Sequence, residues 1–145
     1  MASLHQPVLG IPELHQFLER EFPQVANDFE VLAVEPMRLR LLLNPSEQHL
    51  RPGGTISGPT LFSLADCGVY LAIIAHVGPE ALAVTTNGSI DFMRKPVSGQ
   101  ALTADVELLK LGRVLAVGDV AIRSAGSDHI AARATLTYSR PPKAG

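Results

Sequence analysis

Residues 53–78 read GGTISGPTLFSLADCGVYLAIIAHVG, and the spacing predicts a helix from Thr60 to about His76. Its apolar residues are not confined to a stripe. Leu61, Leu64, Leu71 and Ala72 fall on one side, while Phe62, Val69, Tyr70, Ile73 and Ile74 cover the rest. A helix that is apolar all round is a buried helix, in a protein core or in a bilayer. The run from Pro52 to Pro79 holds Asp66, Pro59 and several glycines. Its uninterrupted apolar pieces are much shorter than the roughly 18 residues of a membrane span, so a core position is expected.

The flanking sequence supplies what would bury it. Upstream, Ile11 to Phe22 reads as a short amphipathic helix, with Pro12 in its first turn, Ile11, Leu14, Phe17, Leu18 and Phe22 near helical spacing, and Pro23 closing it. Residues 29–35 (FEVLAVE) and 37–43 (MRLRLLL) flank Pro36, and Met37, Leu39 and Leu41 alternate with Arg38 and Arg40 as in a hairpin. Downstream, four segments of strand length form a meander. In 82–94, Leu82, Val84, Ile90 and Phe92 share one face and Thr85, Asn87, Ser89 and Asp91 the other. Leu102, Ala104, Val106 and Leu108 alternate with Thr103, Asp105 and Glu107; Val114, Ala116, Val120 and Ile122 follow the turn at Gly112. After the turn at 126–128, Ile130, Ala132, Ala134, Leu136 and Tyr138 alternate with Arg133, Thr135 and Thr137. The expected fold is α+β, a six-stranded antiparallel sheet wrapped around a long buried helix. Residues 1–28 form a tail and short helix, 29–140 the main domain, and 141–145 a C-terminal tail.

Composition narrows the function. The chain is 145 residues long, 46% hydrophobic yet 5% aromatic, without Trp, and 18% charged. A charged fraction below the usual quarter leaves a surplus of aliphatic surface to be buried, part of it around the helix. The net charge of -2 argues against nucleic-acid binding. The N-terminus lacks a basic start followed by an apolar block, so no signal peptide is expected and the cytoplasm is the expected location. The single Cys67 excludes an intrachain disulfide framework and reads as a small core residue. His5, His15, His49, His76 and His129 have no ligand spacing, so no metal site is expected. Ser57 is not in a G-x-S-x-G elbow, and the glycines match neither a dinucleotide fingerprint nor a P-loop.

Asp66 is the only residue with a formal charge at neutral pH between Pro52 and Pro79. A carboxylate inside an apolar helix is costly to bury unpaired. One reading keeps it structural, facing solvent at a gap in the sheet or satisfied by an Arg or a backbone N–H. The other makes it a general base or nucleophile in an apolar cleft, where desolvation strengthens its basicity. Just upstream, Gly53-Gly54-Thr55-Ile56-Ser57-Gly58-Pro59 leads into the helix with free N–H groups that could meet a developing oxyanion. The plainer alternative is a tight turn with Ser57 as the helix cap.

This order of a hairpin, G-G-T-I-S-G-P, a helix carrying L-A-D at 64–66, then Val84-Thr85 and Phe92-Met93-Arg94-Lys95-Pro96, resembles the hotdog-fold thioesterases. Within them it is most similar to acyl-CoA thioesterases of the phenylacetate-pathway and 4-hydroxybenzoyl-CoA type, over about residues 29–140. The resemblance implies a dimer or a tetramer (a dimer of dimers) with active sites at subunit interfaces. It implies acyl-CoA as substrate, with no cofactor beyond the CoA that the substrate carries. It makes Asp66 the nucleophile or the base for water, the Gly58 N–H the group polarising the thioester carbonyl, and Thr85, across the dimer interface, a residue positioning water. Ser57 belongs to the same catalytic turn. Arg51, Gly54, Asn87, Arg94, Lys95 and Arg113 are the substrate-binding candidates, the cations for the phosphates and pantetheine of CoA. The sequence departs from the family where Ser57 replaces a common His, Pro59 a second Gly, and Arg51 an Asn, His or Gln. Ser57 in place of the His suggests a non-catalytic acyl or CoA binder as the second reading; a hotdog hydratase or dehydratase, which usually pairs a His with the acid, is the third.

Overall fold

The computed structural model describes residues 5–79 and 82–141. The tails expected at the two ends lie, for residues 1–4 and 142–145, outside the described residues. Helix α1 spans Ile11–Glu21, strand β1 Phe29–Glu35, β2 Arg38–Leu43, helix α2 Gly58–Val77, β3 Val84–Phe92, β4 Leu102–Leu111, β5 Leu115–Ser124 and β6 Ile130–Ser139. The six strands form one antiparallel sheet in the order β1-β2-β4-β5-β6-β3, so β1 and β3 are its edges; β3 pairs with β6 and not β4, which corrects the expected four-strand meander to the three strands β4, β5 and β6.

α2 lies against this sheet as expected. By length and composition it could cross a membrane, but it is the core helix here, with Leu64, Ala65, Val69 and Leu71 to Ala75 fully covered. Two glycines let the layers approach. A Cβ on Gly118 of β5 would come within 2.7 Å of Val69, and one on Gly68 of α2 within 2.8 Å of Val106. The all-round burial holds only for the second half of the helix. In the first half Pro59 and Ser63 are exposed and Phe62, Asp66 and Cys67 partly so, leaving one side of the N-terminal turns open.

Two histidines without ligand spacing turn out to be structural acceptors. His15 of α1 takes the Val31 N–H at 3.1 Å, beside an irregularity in the β1–β2 pairing, and so ties α1 to the sheet. His76, buried at the end of α2, bonds the Ala72 carbonyl through Nδ1 at 2.7 Å and accepts the Met37 N–H at Nε2 at 2.8 Å. Met37 sits at φ 61 in the β1–β2 turn, and the imidazole secures that left-handed residue.

β3 departs from simple alternation. Its pairing with β6 slips between Thr85 and Asn87, so two residues of β3 stand against one of β6. Thr85 is therefore paired with Tyr138 and turned to the inner face with Gly88 and Ile90, while Asn87, Ser89 and Asp91 stay outside. This corrects the expectations that Thr85 shares a face with those three and that Val84, which pairs with Ser139, shares one with Ile90 and Phe92. Val114, expected in the next strand, is exposed in the β4–β5 turn.

Candidate active site

Asp66 lies two turns into α2 on its open side and lines a cavity of about 380 Å³. The walls are mainly apolar: Leu18 from α1, Phe22 at its C-terminal cap, Val25 from the segment that follows, Phe29 at the start of β1, Tyr70 from α2 and Tyr138 from β6. Phe22 meets Tyr70 edge-on at 5.7 Å, and Tyr70 stacks on Tyr138 at 5.8 Å. The N-terminal helix thus closes one side of the pocket beside the carboxylate.

The carboxylate is anchored on one oxygen. Thr85 Oγ1 donates to Asp66 Oδ1 at 2.7 Å, and the Tyr138 hydroxyl donates to the same oxygen at 2.6 Å. Both partners belong to Asp66's own chain, whereas the resemblance implied a Thr85 across the dimer interface; the β3 bulge is what turns it inward. The structural reading expected Asp66 to face solvent at a gap in the sheet or to meet an Arg or a backbone N–H; it is partly exposed, and its partners are two hydroxyls. Tyr138 was missed because its place in β6 matches an ordinary inward core position, and period-2 patterning does not tell a core ring from one with a hydroxyl at work. Burial, reinforced by the hydrogen bond to Asp66, pushes the Tyr138 hydroxyl well above the usual tyrosine range, so it stays a donor. Burial, with the Asp66 charge beside it, pushes the Cys67 thiol up to about 12. Such a thiol is not a nucleophile at neutral pH; Cys67 is half-buried, packed against the core at the wall of the cavity and not inside the core as expected.

At the start of α2, Ser57 is the N-cap. Its Oγ accepts the Thr60 N–H at 3.3 Å and lies 2.7 Å from Thr60 Oγ1, so the capping alternative describes it. The Gly58 N–H, by contrast, has no hydrogen-bond partner among the described residues. Gly58 also packs closely, since a Cβ there would sit 3.3 Å from the Phe92 ring. Around it Arg51, Phe92, Arg94 and Lys95 line a second hollow of about 480 Å³. Gly54, at φ 79, forms the preceding turn by donating its N–H to the Arg51 carbonyl. His49 comes into this region too, its carbonyl accepting the Ser57 N–H, but its Nδ1 accepts the Ser46 N–H and its Nε2 lies 3.5 Å from Asp28. It does not supply the imidazole that Ser57 replaces.

Of the expected site residues, the structure gathers Asp66 and Thr85 at one cavity and Arg51, Gly58, Arg94 and Lys95 at the other. Asn87 is on the outer face of β3, and Arg113, exposed in the β4–β5 turn, lines neither cavity. A hollow of about 740 Å³ on the outer sheet face is walled by ion pairs, Arg38–Glu107 at 2.8 Å and Arg40–Asp105 at 2.6 Å among them, which satisfy one another. Among the described residues no His, Cys, Asp and Glu cluster could hold a metal ion.

A family model described as the thioesterase superfamily matches residues 53–131, which take in α2, β3, β4 and β5. A "putative thioesterase" from Silicibacter sp. is 51% identical and superposes with a TM-score of 0.89, over 95% of this chain and 96% of its own. A mutant of the phenylacetic acid degradation protein from Thermus thermophilus is 28% identical, with a TM-score of 0.70 over 82% of this chain and 99% of its own. A "putative esterase" from Deinococcus radiodurans is 30% identical over 127 residues, 84% of each chain.

Proposed function

Because this chain belongs to the thioesterase superfamily, we propose that it hydrolyses an acyl-CoA thioester to the free acid and CoA at a site built on Asp66. The observation that carries this reading is the carboxylate itself. Among the described residues no donor meets Asp66 Oδ2, while Oδ1 is held by two hydroxyls, and the cavity beside it is lined mainly by apolar side chains. A reactive oxygen next to a dry slot is what thioester hydrolysis requires.

With Asp66 as general base, the water oxygen bonds to the carbonyl carbon while one water proton passes to Asp66. The tetrahedral intermediate then collapses, the C–S bond breaks, and Asp66 returns the proton to the departing thiolate. With Asp66 as nucleophile, the same bond breaks one step earlier and water hydrolyses the anhydride. Either route builds negative charge on the carbonyl oxygen, and the unpartnered Gly58 N–H at the helix N-terminus suits that charge. CoA enters as part of the substrate, and neither route uses a metal or redox group.

Gly58 and Asp66 of one helix do not serve the same carbonyl. They are eight residues apart, about 12 Å along the axis at 1.5 Å per residue, and they line separate cavities. The site therefore requires a second copy, whose Gly58 turn faces this chain's Asp66. β3 offers the contact: it is a sheet edge of nine residues with no Pro or Lys, and Val84 and Phe92 are each 56% exposed along it. Arg51, Arg94 and Lys95, beside Gly58, would then meet the phosphates of CoA as it enters. Cytoplasmic residence, where acyl-CoA and a free Cys67 thiol are both at home, fits this reading.

Asp66→Asn, checked for fold and oligomeric state, is assayed against short, medium, long and aryl CoA thioesters. The expected result is a loss of at least about a hundredfold in kcat. Undiminished hydrolysis by the variant overturns the mechanism. A wild-type chain that binds these thioesters but turns none over is a binding protein, the reading favoured by Ser57 serving only as a cap.

A further inference from the structure

Tyr138 is 4% exposed, and its ring is fixed by the stack on Tyr70. Its partner on the neighbouring strand is Thr85, so the β3–β6 ladder sets the two hydroxyls side by side. Both reach Asp66 Oδ1, and the Tyr138 hydroxyl also lies 3.1 Å from the Asp66 carbonyl. Asp66 Oδ2 takes no hydrogen bond from the described residues, yet no buried side-chain oxygen among them is left unsatisfied, so Oδ2 is open to the cavity.

We propose that Tyr138 is a positioning residue for the reaction, clamping Oδ1 together with Thr85 so that Oδ2 alone is presented to the thioester or to its attacking water. The inference rests on the hydrolase reading above for its chemistry but not for its geometry. A carboxylate free to rotate spreads its two oxygens over many orientations; a donor on each side of one oxygen selects a single one. Tyr138 suits this task because it is held at both ends, its ring by packing and its hydroxyl by Asp66. Its burial also keeps the hydroxyl protonated, so the donor persists across the pH range in which a thioesterase works. The pairing exists only because of the bulge in β3: without it Thr85 would point to the outer face and Tyr138 would hold the oxygen alone.

Tyr138→Phe removes one oxygen and keeps the ring stack. The expected result is a kcat lowered ten- to a hundredfold, a KM within about threefold of wild type, and an unchanged oligomer. Proton NMR reads the contact without activity: wild type shows a downfield hydroxyl proton that is absent in Tyr138→Phe and moves upfield in Asp66→Asn. A kcat within twofold of wild type overturns the proposal, because a residue needed only for packing would leave the chemical step alone. If Tyr138→Phe does not fold, 3,5-difluorotyrosine at 138 keeps ring and hydroxyl but alters the donor. A severalfold change in kcat at constant KM then supports the clamp, and an unchanged kcat overturns it. If wild type hydrolyses no thioester, the hydrolase reading fails and the resonance decides: sensitivity to Asp66→Asn upholds the clamp on Oδ1, and insensitivity overturns it.

Discussion

Cys67 and Tyr138 flank Asp66 and hold their protons more tightly than they would in water. Cys67 is pushed from the ordinary value of 9.0 up to about 12, and Tyr138 is raised above its ordinary 10.0, burial being the first cause in both. Above pH 9 the unfolded chain releases these protons while the folded chain keeps them, so the unfolded state binds fewer and stability falls as pH rises. The Cys67 contribution is intact below about pH 9 and declines towards about 12. Urea midpoints measured from pH 8 to 11 should therefore fall, and Cys67→Ala should flatten part of that slope; a midpoint independent of pH in this range would contradict the account. Asp66 was legible as a candidate site because a lone charge in an apolar helix violates the local pattern. Tyr138 was not, because it obeys the pattern: an inward position on a strand is where a core aromatic belongs.

α2 and the sheet show how far periodicity reaches at the scale of elements. Strand and helix positions were readable because burial on one face repeats with a fixed period, and the inner faces of β4, β5 and β6 carry the expected residues except Val114, in the turn, and Ile130, which a register slip sets opposite Arg123 on the outer face. The reading failed at Thr85, where one extra residue in β3 reverses the faces; a bulge needs no signal in local composition, only a partner strand whose register demands it. It also overlooked the glycines that set how close the helix lies. Gly118→Ala would press a methyl group into Val69, which is fully buried and cannot retreat. We expect a loss of about 1–3 kcal/mol of stability from overpacking, measured by urea unfolding. Gly68→Ala gains helix propensity but meets Val106 at 2.8 Å, and overpacking should still win. A stabilised Gly118→Ala would show that the layers can separate without cost.

The whole molecule raises the question of the second copy. In an isologous pairing through β3, residues at the strand's middle lie near the two-fold axis and face their own counterparts. Ser89 is next to the centre of Val84–Phe92, so Ser89→Lys would set two ammonium groups close together across the axis. Sedimentation should show a larger monomer fraction at low salt, and hydrolysis should fall with it although Asp66, Thr85 and Tyr138 are untouched. A monomer that retains full activity would remove the need for a partner's Gly58. The surplus of aliphatic residues over charged ones led us to expect burial beyond a single chain, and Val84, Phe92 and Met93 are exposed along and just beyond the β3 edge. What can be derived from the order of residues alone is the long buried helix, the strands around it and the isolated Asp66, because each is a local or periodic property and the burial it demands is written in neighbouring positions. The face on which Thr85 lies and the hydroxyl that reaches Asp66 from 72 residues away depend on strand register in three dimensions. Those are properties of contacts between distant segments, and no local pattern encodes them.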